Sequence, residues 1–157
     1  MNPCGLFSAV DERPRKSFCG VTAIAAITGE TVQAVEQTVL RHRAKVKPPR
    51  RHRLRGAVVS TMWWDEMAPV LALLGWRPAE ASEYFRRPWQ PCPTFAQWQR
   101  RTGRGRGGPY LLLVTGHFVA VAGSAFVDST QRDPIPLRKE PWRRKRVKAA
   151  MRLERIG

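Results

Sequence analysis

Apolar positions fall into two patterns along this chain. Up to about residue 102 they recur at helical spacing or in helix-length runs. Beyond residue 108 they form short runs separated by glycine, as strands do. The segment FCGVTAIAAIT, Phe18–Thr28, is apolar on every side and rich in small residues. With Ser17 as cap and Gly29 as stop, it predicts a helix buried on all faces, which Gly20, Ala23, Ala25 and Ala26 allow to pack closely. Its β-branched content would also suit a buried strand; its length and two caps favour the helix. A second helix, capped by Thr31, is predicted to about Arg43, with Val32, Val35, Val39 and Leu40 on one face. A third spans roughly Thr61–Leu74, ends at Gly75, and holds Met67, Val70, Leu71 and Leu74 inward; Pro69 should bend it or mark a late start. A proline-rich connection leads to Thr94, which caps the short helix FAQWQRRT.

Tyr110–Thr115, His117–Ala122 and Ala125–Asp128 read as three strands, turned at Gly116 and at Gly123-Ser124. Helices followed by a run of strands is the α+β pattern. The segment 138–155 could form a basic amphipathic helix, so the chain divides into an irregular leader (1–16), one domain (17–137) and a basic C-terminal tail (138–157).

Composition adds a constraint that the pattern lacks. The chain has 157 residues, one domain's worth, and 43% of them are hydrophobic, enough for one core. It carries 28 Lys+Arg against 12 Asp+Glu, a formal charge of +16. Arginine supplies 22 of the 28 cations, which favours phosphate or carboxylate recognition, although a GC-rich genome gives the same bias. Three segments concentrate the charge: 41–55, 100–106 and 138–155 hold 8, 4 and 9 cations, together 21 of 28. Such segments attract nucleic acid or acidic proteins. The candidate contacts are Arg41, Arg43, Lys45, Lys47, Arg50, Arg51, Arg53 and Arg55 in an expected loop, and Arg143, Arg144, Lys145 and Arg146 in the tail.

No apolar run approaches the roughly 18–20 residues of a membrane span, and no secretory signal is visible. Cys4, Cys19 and Cys92 are odd in number and widely spaced, which argues for free thiols in a reducing compartment, the cytoplasm. No cofactor motif is present: GRGRGG lacks the Lys-Ser/Thr of a phosphate loop, and His42 and His52 lie among cations that oppose a metal. Trp63, Trp64, Trp76 and Trp98 are expected in the core, leaving Trp89 and Trp142 exposed.

Three residues could form a catalytic group. Cys19 falls in the first turn of the expected buried helix, where free N–H groups and the helix dipole favour thiolate and offer half an oxyanion hole. Alone, such a cysteine is more often a small buried apolar residue than a nucleophile. His117 and Asp128 stand at the outer ends of two hairpin strands, directly opposed or diagonal according to where the turn centres, and on one face in either case. An imidazole beside a carboxylate is the oriented base of a nucleophilic site.

In order and context these residues resemble the papain-like cysteine peptidase superfamily, above all its small members, the double-glycine leader peptidases and short papain-like proteins of bacteriophages. The resemblance runs from Ser17 to Thr130 and is carried by SFCGVTAIAAITG, TGHFVAVAG and FVDST. It implies a papain-like α+β fold, with a central buried helix bearing Cys19 packed on a small antiparallel sheet bearing His117 and Asp128. The implied activity is hydrolysis of a peptide, isopeptide or side-chain amide in a peptide or protein substrate. Cys19 would be the nucleophile, His117 the base, and Asp128 the orienting group. A bacterial cell, a phage-infected cell or a virion would be the setting. The family usually places a Gln about six residues before the cysteine as second oxyanion donor; here that position is Arg13. Two further readings stand beside the hydrolase: a catalytically weak or inactive protein of this fold that binds nucleic acid, and a structural part of a larger assembly such as a phage particle.

Overall fold

The computed structural model describes residues 5–11, 18–46, 59, 61–85, 91–102, 108–129, 133–136 and 143–157. Within them the chain is a mixed helical and antiparallel-sheet protein, α+β as expected. Helix α1 covers Cys19–Thr28, and every residue from Gly20 to Thr28 is buried. Its start differs from the expectation: Phe18 is the N-cap, in extended conformation and without a side-chain cap bond, while Ser17 lies outside the described residues. The C-terminal stop is Gly29 at φ 80°, whose N–H bonds Ala25 O.

Helix α2 (Val32–Lys45) is capped as expected, the Thr31 side chain accepting from Ala34 N–H. It runs to Lys45, so Arg41, Arg43 and Lys45 are helical and not part of the expected loop. Helix α3 (Trp64–Leu73) starts later than Thr61 and continues through Pro69. That proline sits on the exposed face, where water can reach the carbonyl its missing N–H would have bonded. Helix α4 (Phe95–Arg101) has a capping box: Thr94 accepts from Gln97 N–H, and Gln97 reaches back to Thr94 N–H.

The strands are β1 (Trp76–Pro78), β2 (Glu83–Tyr84), β3 (Tyr110–Val114), β4 (His117–Ala122), β5 (Ala125–Val127), β6 (Ile135–Pro136) and β7 (Val147–Arg155). They form one sheet in the order β1-β7-β3-β4-β5-β6, with β2 also on β7. The β3–β4–β5 meander follows the expectation; β1, β2 and β6 were not foreseen. Neither was β7. Residues 147–155 are the longest strand and not an amphipathic helix: they pair with β3 on one side and with β1 and β2 on the other. Lys, Ala, Met, Arg, Leu and Glu are all good helix formers, so propensity points the wrong way here, and pairing on both edges overrides it. Cross-strand partners accommodate the charges of β7. Arg77 lies opposite Glu154 and bonds it at 2.8 Å, Arg155 lies over the Trp76 ring, and Arg152 reaches Glu80 at 3.2 Å.

Two apolar layers sandwich the sheet. On one face α1, α2 and α3 pack on Leu111, Phe118, Ala120, Ala122, Val127, Met151 and Leu153. On the other, Phe95 and Trp98 of α4 cover Leu112, Val114, Val119, Val121, Phe126 and Val147. Trp98 is buried as expected and Trp64 and Trp76 are half-buried, but Trp63 is 46% exposed and not a core residue. Trp89 and Trp142 lie outside the described residues.

The end of α1 supplies a test of this packing. A Cβ on Gly29 would meet the Phe7 ring at 3.2 Å, on a backbone whose positive φ already disfavours L residues. Gly29→Ala is expected to destabilise the fold by about 1–2 kcal/mol, read as a lower urea midpoint at unchanged slope.

Candidate functional site

Cys19 is the first residue of α1, half-buried against the helical face of the sheet. In that turn Thr22 N–H is the first to find an intrahelical acceptor, Phe18 O at 3.0 Å, and the Thr22 hydroxyl bonds the same carbonyl. The N–H groups of Cys19, Gly20 and Val21 have none within the helix. Met62 closes one side of the turn: a Cβ on Gly20 would lie 3.0 Å from its sulfur.

His117 opens β4, paired with Val114 across the tight turn Thr115-Gly116. The next hairpin pairs Ala122 with Ala125, Val121 with Phe126 and Ala120 with Val127, which leaves Gly123-Ser124 as the two-residue turn. β5 ends at Val127, and the register carried one residue further points Asp128 toward Val119, the diagonal of the two expected arrangements relative to His117. Asp128 is only 1% exposed, His117 is half-buried, and both are engaged by neighbouring groups.

Two sets of contacts fix how α1 lies over β4. Near its C-terminal end, Phe7 N–H bonds Ala26 O at 2.8 Å, and Gly5, two residues earlier, lies against the Ala122 side chain. Near its N-terminal end, Gly20 rests on Met62, and Trp64, two residues later, stacks on Phe118 at 6.3 Å with the planes 5° apart. Helix and strand thus run in the same direction, and Cys19 lies at the His117 end.

Strand alternation adds a second fact. Phe118, Ala120 and Ala122 point toward the helices, so His117, like Val119 and Val121, points to the opposite face. An approach between thiol and imidazole must pass around the end of the sheet, beside Gly116, and not through its face.

The cations expected to bind partners divide. Arg41 and Lys45 are exposed on α2, and Arg143, Arg144 and Arg146 are exposed before β7, where Lys145 is half-buried. Lys47, Arg50, Arg51, Arg53 and Arg55 lie outside the described residues, as do the oxyanion position Arg13 and Cys4. Arg43 is a correction. Its guanidinium bonds Glu66 Oε1 at 2.8 Å and Oε2 at 3.0 Å and also reaches Thr61 O, with side chains only 12% and 8% exposed. It clamps α2 to α3 and does not offer a free charge to a partner. Sequence reasoning missed this pair because Glu66 stands 23 residues away.

Among the described residues, no group of three or more His, Cys, Asp or Glu could hold a metal ion, and no helix is long and apolar enough to cross a membrane. Comparison with family models, with curated proteins and with solved structures gave no match.

The Arg43–Glu66 clamp has a defined pH signature. Burial pushes the Glu66 carboxyl up, but hydrogen bonds from Arg43 and Trp63 N–H, with the Arg43 charge, overcome it and hold the group below its ordinary range. A lowered carboxyl stabilises the fold fully above its unfolded-state value of about 4.3, and that contribution is lost as pH falls through the folded value. Glu66→Gln is expected to cost about 2–4 kcal/mol near neutral pH, because Arg43 stays buried with a weaker partner. In urea melts the gap between wild type and variant should be constant from about pH 8 to 5 and narrow below about 4.3.

Proposed function

We propose that this protein is a papain-like, cysteine-dependent hydrolase acting on a peptide, isopeptide or side-chain amide. One observation carries the reading: α1 and β4 run in the same direction, so Cys19 in the first turn of the helix stands at the end of the sheet where His117 and the buried Asp128 lie. Each has the type its role requires. The Cys19 thiolate adds to the amide carbonyl carbon, and the Cys19 N–H faces the oxygen that becomes negative. His117, holding the thiol proton, gives it to the departing nitrogen as the C–N bond breaks. Water then attacks the thioester carbonyl, His117 takes its proton, and the thiol is restored as the C–S bond breaks. Asp128 orients the ring and balances its charge in the imidazolium stage.

A second reading is favoured by a specific observation as well. The alternation of β4 aims His117 at the face opposite α1, which suits a binding protein that has the scaffold without the chemistry.

Alkylation of the native protein separates the two. Cys92 is the internal reference: it is half-buried, and its sulfur lies 3.5 Å from Phe85 O, outside the first turn of any described helix. For a hydrolase, iodoacetamide near pH 7 should modify Cys19 at least about tenfold faster than Cys92 by mass spectrometry. His117→Ala should remove most of that advantage and Asp128→Asn part of it, since Asn bonds the ring without balancing its charge. Cys19 labelling that is fast but indifferent to His117, or slower than at Cys92, would overturn the hydrolase and leave the binding scaffold.

A further inference from the structure

Aromatic side chains carry large apolar surfaces that favour burial. Among the described residues three of them are exposed: Phe18 at 42%, Trp63 at 46% and Tyr84 at 63%. They are far apart in sequence, yet they collect at one end of one face. Phe18 is the N-cap of α1, directly before Cys19. Trp63 is the N-cap of α3 and follows Met62, whose side chain lies against Gly20 in the first turn of α1. Tyr84 pairs with Ala149, Ala149 with Leu113, and Leu113 with Phe118. Directly paired residues share a face, so this row crosses the sheet on its helical side.

The row spans three strand spacings, about 14 Å. Trp64 bridges it. Its ring stacks on Phe118 at 6.3 Å and meets Tyr84 edge-on at 6.2 Å, and its Nε1–H donates to the Tyr84 hydroxyl at 2.8 Å. An aromatic wall therefore starts beside Cys19 and ends at Tyr84, held in one arrangement by ring contacts and a hydrogen bond. Its charge is not cationic. Arg43, which reaches Thr61 O beside Met62, is balanced by Glu66, and Asp65 next to Trp64 is exposed.

We propose that this wall holds the substrate beside the scissile bond, and that the substrate is a peptide segment with large apolar side chains, aromatic above all. The assignment rests on Cys19 being the nucleophile of an amide hydrolase. A bond brought to that thiol brings the neighbouring residues of its chain onto the wall, whose length accommodates roughly four extended residues. Tyr84, at the far end, reads a side chain several residues from the reacting carbonyl. Trp64 and Tyr84 have few rotatable bonds and are already oriented, so an incoming ring packs on them with little further loss of freedom. Nucleic acid fits this face poorly. Its phosphates would meet Asp65 and an Arg43 that Glu66 already neutralises, while the cationic turn 143–146 is bonded to α4 on the other face.

Two haloacetylated peptides test this on the native protein: iodoacetyl-Phe-Ala-Phe-amide and iodoacetyl-Ser-Ala-Ser-amide, with labelling of Cys19 and Cys92 followed by mass spectrometry. At Cys19 the aromatic reagent should react about tenfold faster than the serine reagent, while at Cys92 the two should agree within about twofold. Tyr84→Ala should cut the Cys19 ratio by about threefold or more, and Trp63→Ala likewise, with circular dichroism establishing that each variant is folded. His117→Ala should slow both reagents at Cys19 and leave their ratio. A ratio near one where Cys19 still outruns Cys92 with iodoacetamide, or a full ratio in both folded variants, would overturn the aromatic assignment and keep the hydrolase. A tenfold ratio with Cys19 slower than Cys92 toward iodoacetamide would overturn the hydrolase and, with it, the substrate role of the wall. A dimer in sedimentation equilibrium that Tyr84→Ala dissociates would assign the wall to a second copy of this chain and overturn the proposal as well.

Discussion

The pairing of β7 is the interaction on which the rest of the structure depends. The last strand of the chain occupies an interior position in the sheet, bonded to β3 on one edge and to β1 and β2 on the other. Without it, β1 and β2 would lose their partner, and the β3–β4–β5–β6 meander would expose a long edge. Its side chains serve both apolar layers: Met151 and Leu153 join the helical face, and Val147 and Ala150 join the α4 face. The two layers are assembled around this one strand.

That arrangement also sets what lies at the His117 end of the sheet. The β3–β4 turn and the start of β7 lie together, Thr115 N–H bonding Arg146 O at 3.0 Å. The end of the sheet that carries His117 is therefore the end from which the cationic turn 143–146 departs. The Trp64 ring stacks on Phe118, beside His117, and its N–H bonds the Tyr84 hydroxyl on the same face of the sheet.

The charge of the protein is not one undivided surface. Arg43 is withdrawn into an ion pair between helices, Arg77 and Arg155 are matched across strands by Glu154 and Trp76, Arg152 reaches Glu80 beyond the end of β1, and Arg146 is pinned to the Cys92 carbonyl. Arginine count alone treats these as equivalent. Their partners lie 23 to 79 residues away in the chain for the pairs formed by Arg43 and Arg155, beyond the reach of any local pattern.

Local physics explains what was legible in the sequence. A helix apolar on all sides has to be buried, whatever surrounds it, so α1 was readable from FCGVTAIAAIT; Thr31 and Thr94 capped their helices because a hydroxyl satisfies N–H groups only three residues away. Gly116 and Gly123-Ser124 placed the turns of the meander, and that spacing set Asp128 diagonal to His117. What only the tertiary structure decided were the long-range matters. VKAAMRLER has the composition of a helix and became an interior strand, because pairing on two edges and burial on two faces outweigh propensities of a fraction of a kcal/mol per residue. The face to which His117 turns relative to α1, the removal of Arg43 from the surface, and the meeting of α4 with the turn 143–146 all depend on which distant elements pack together, and packing is decided by the whole chain at once.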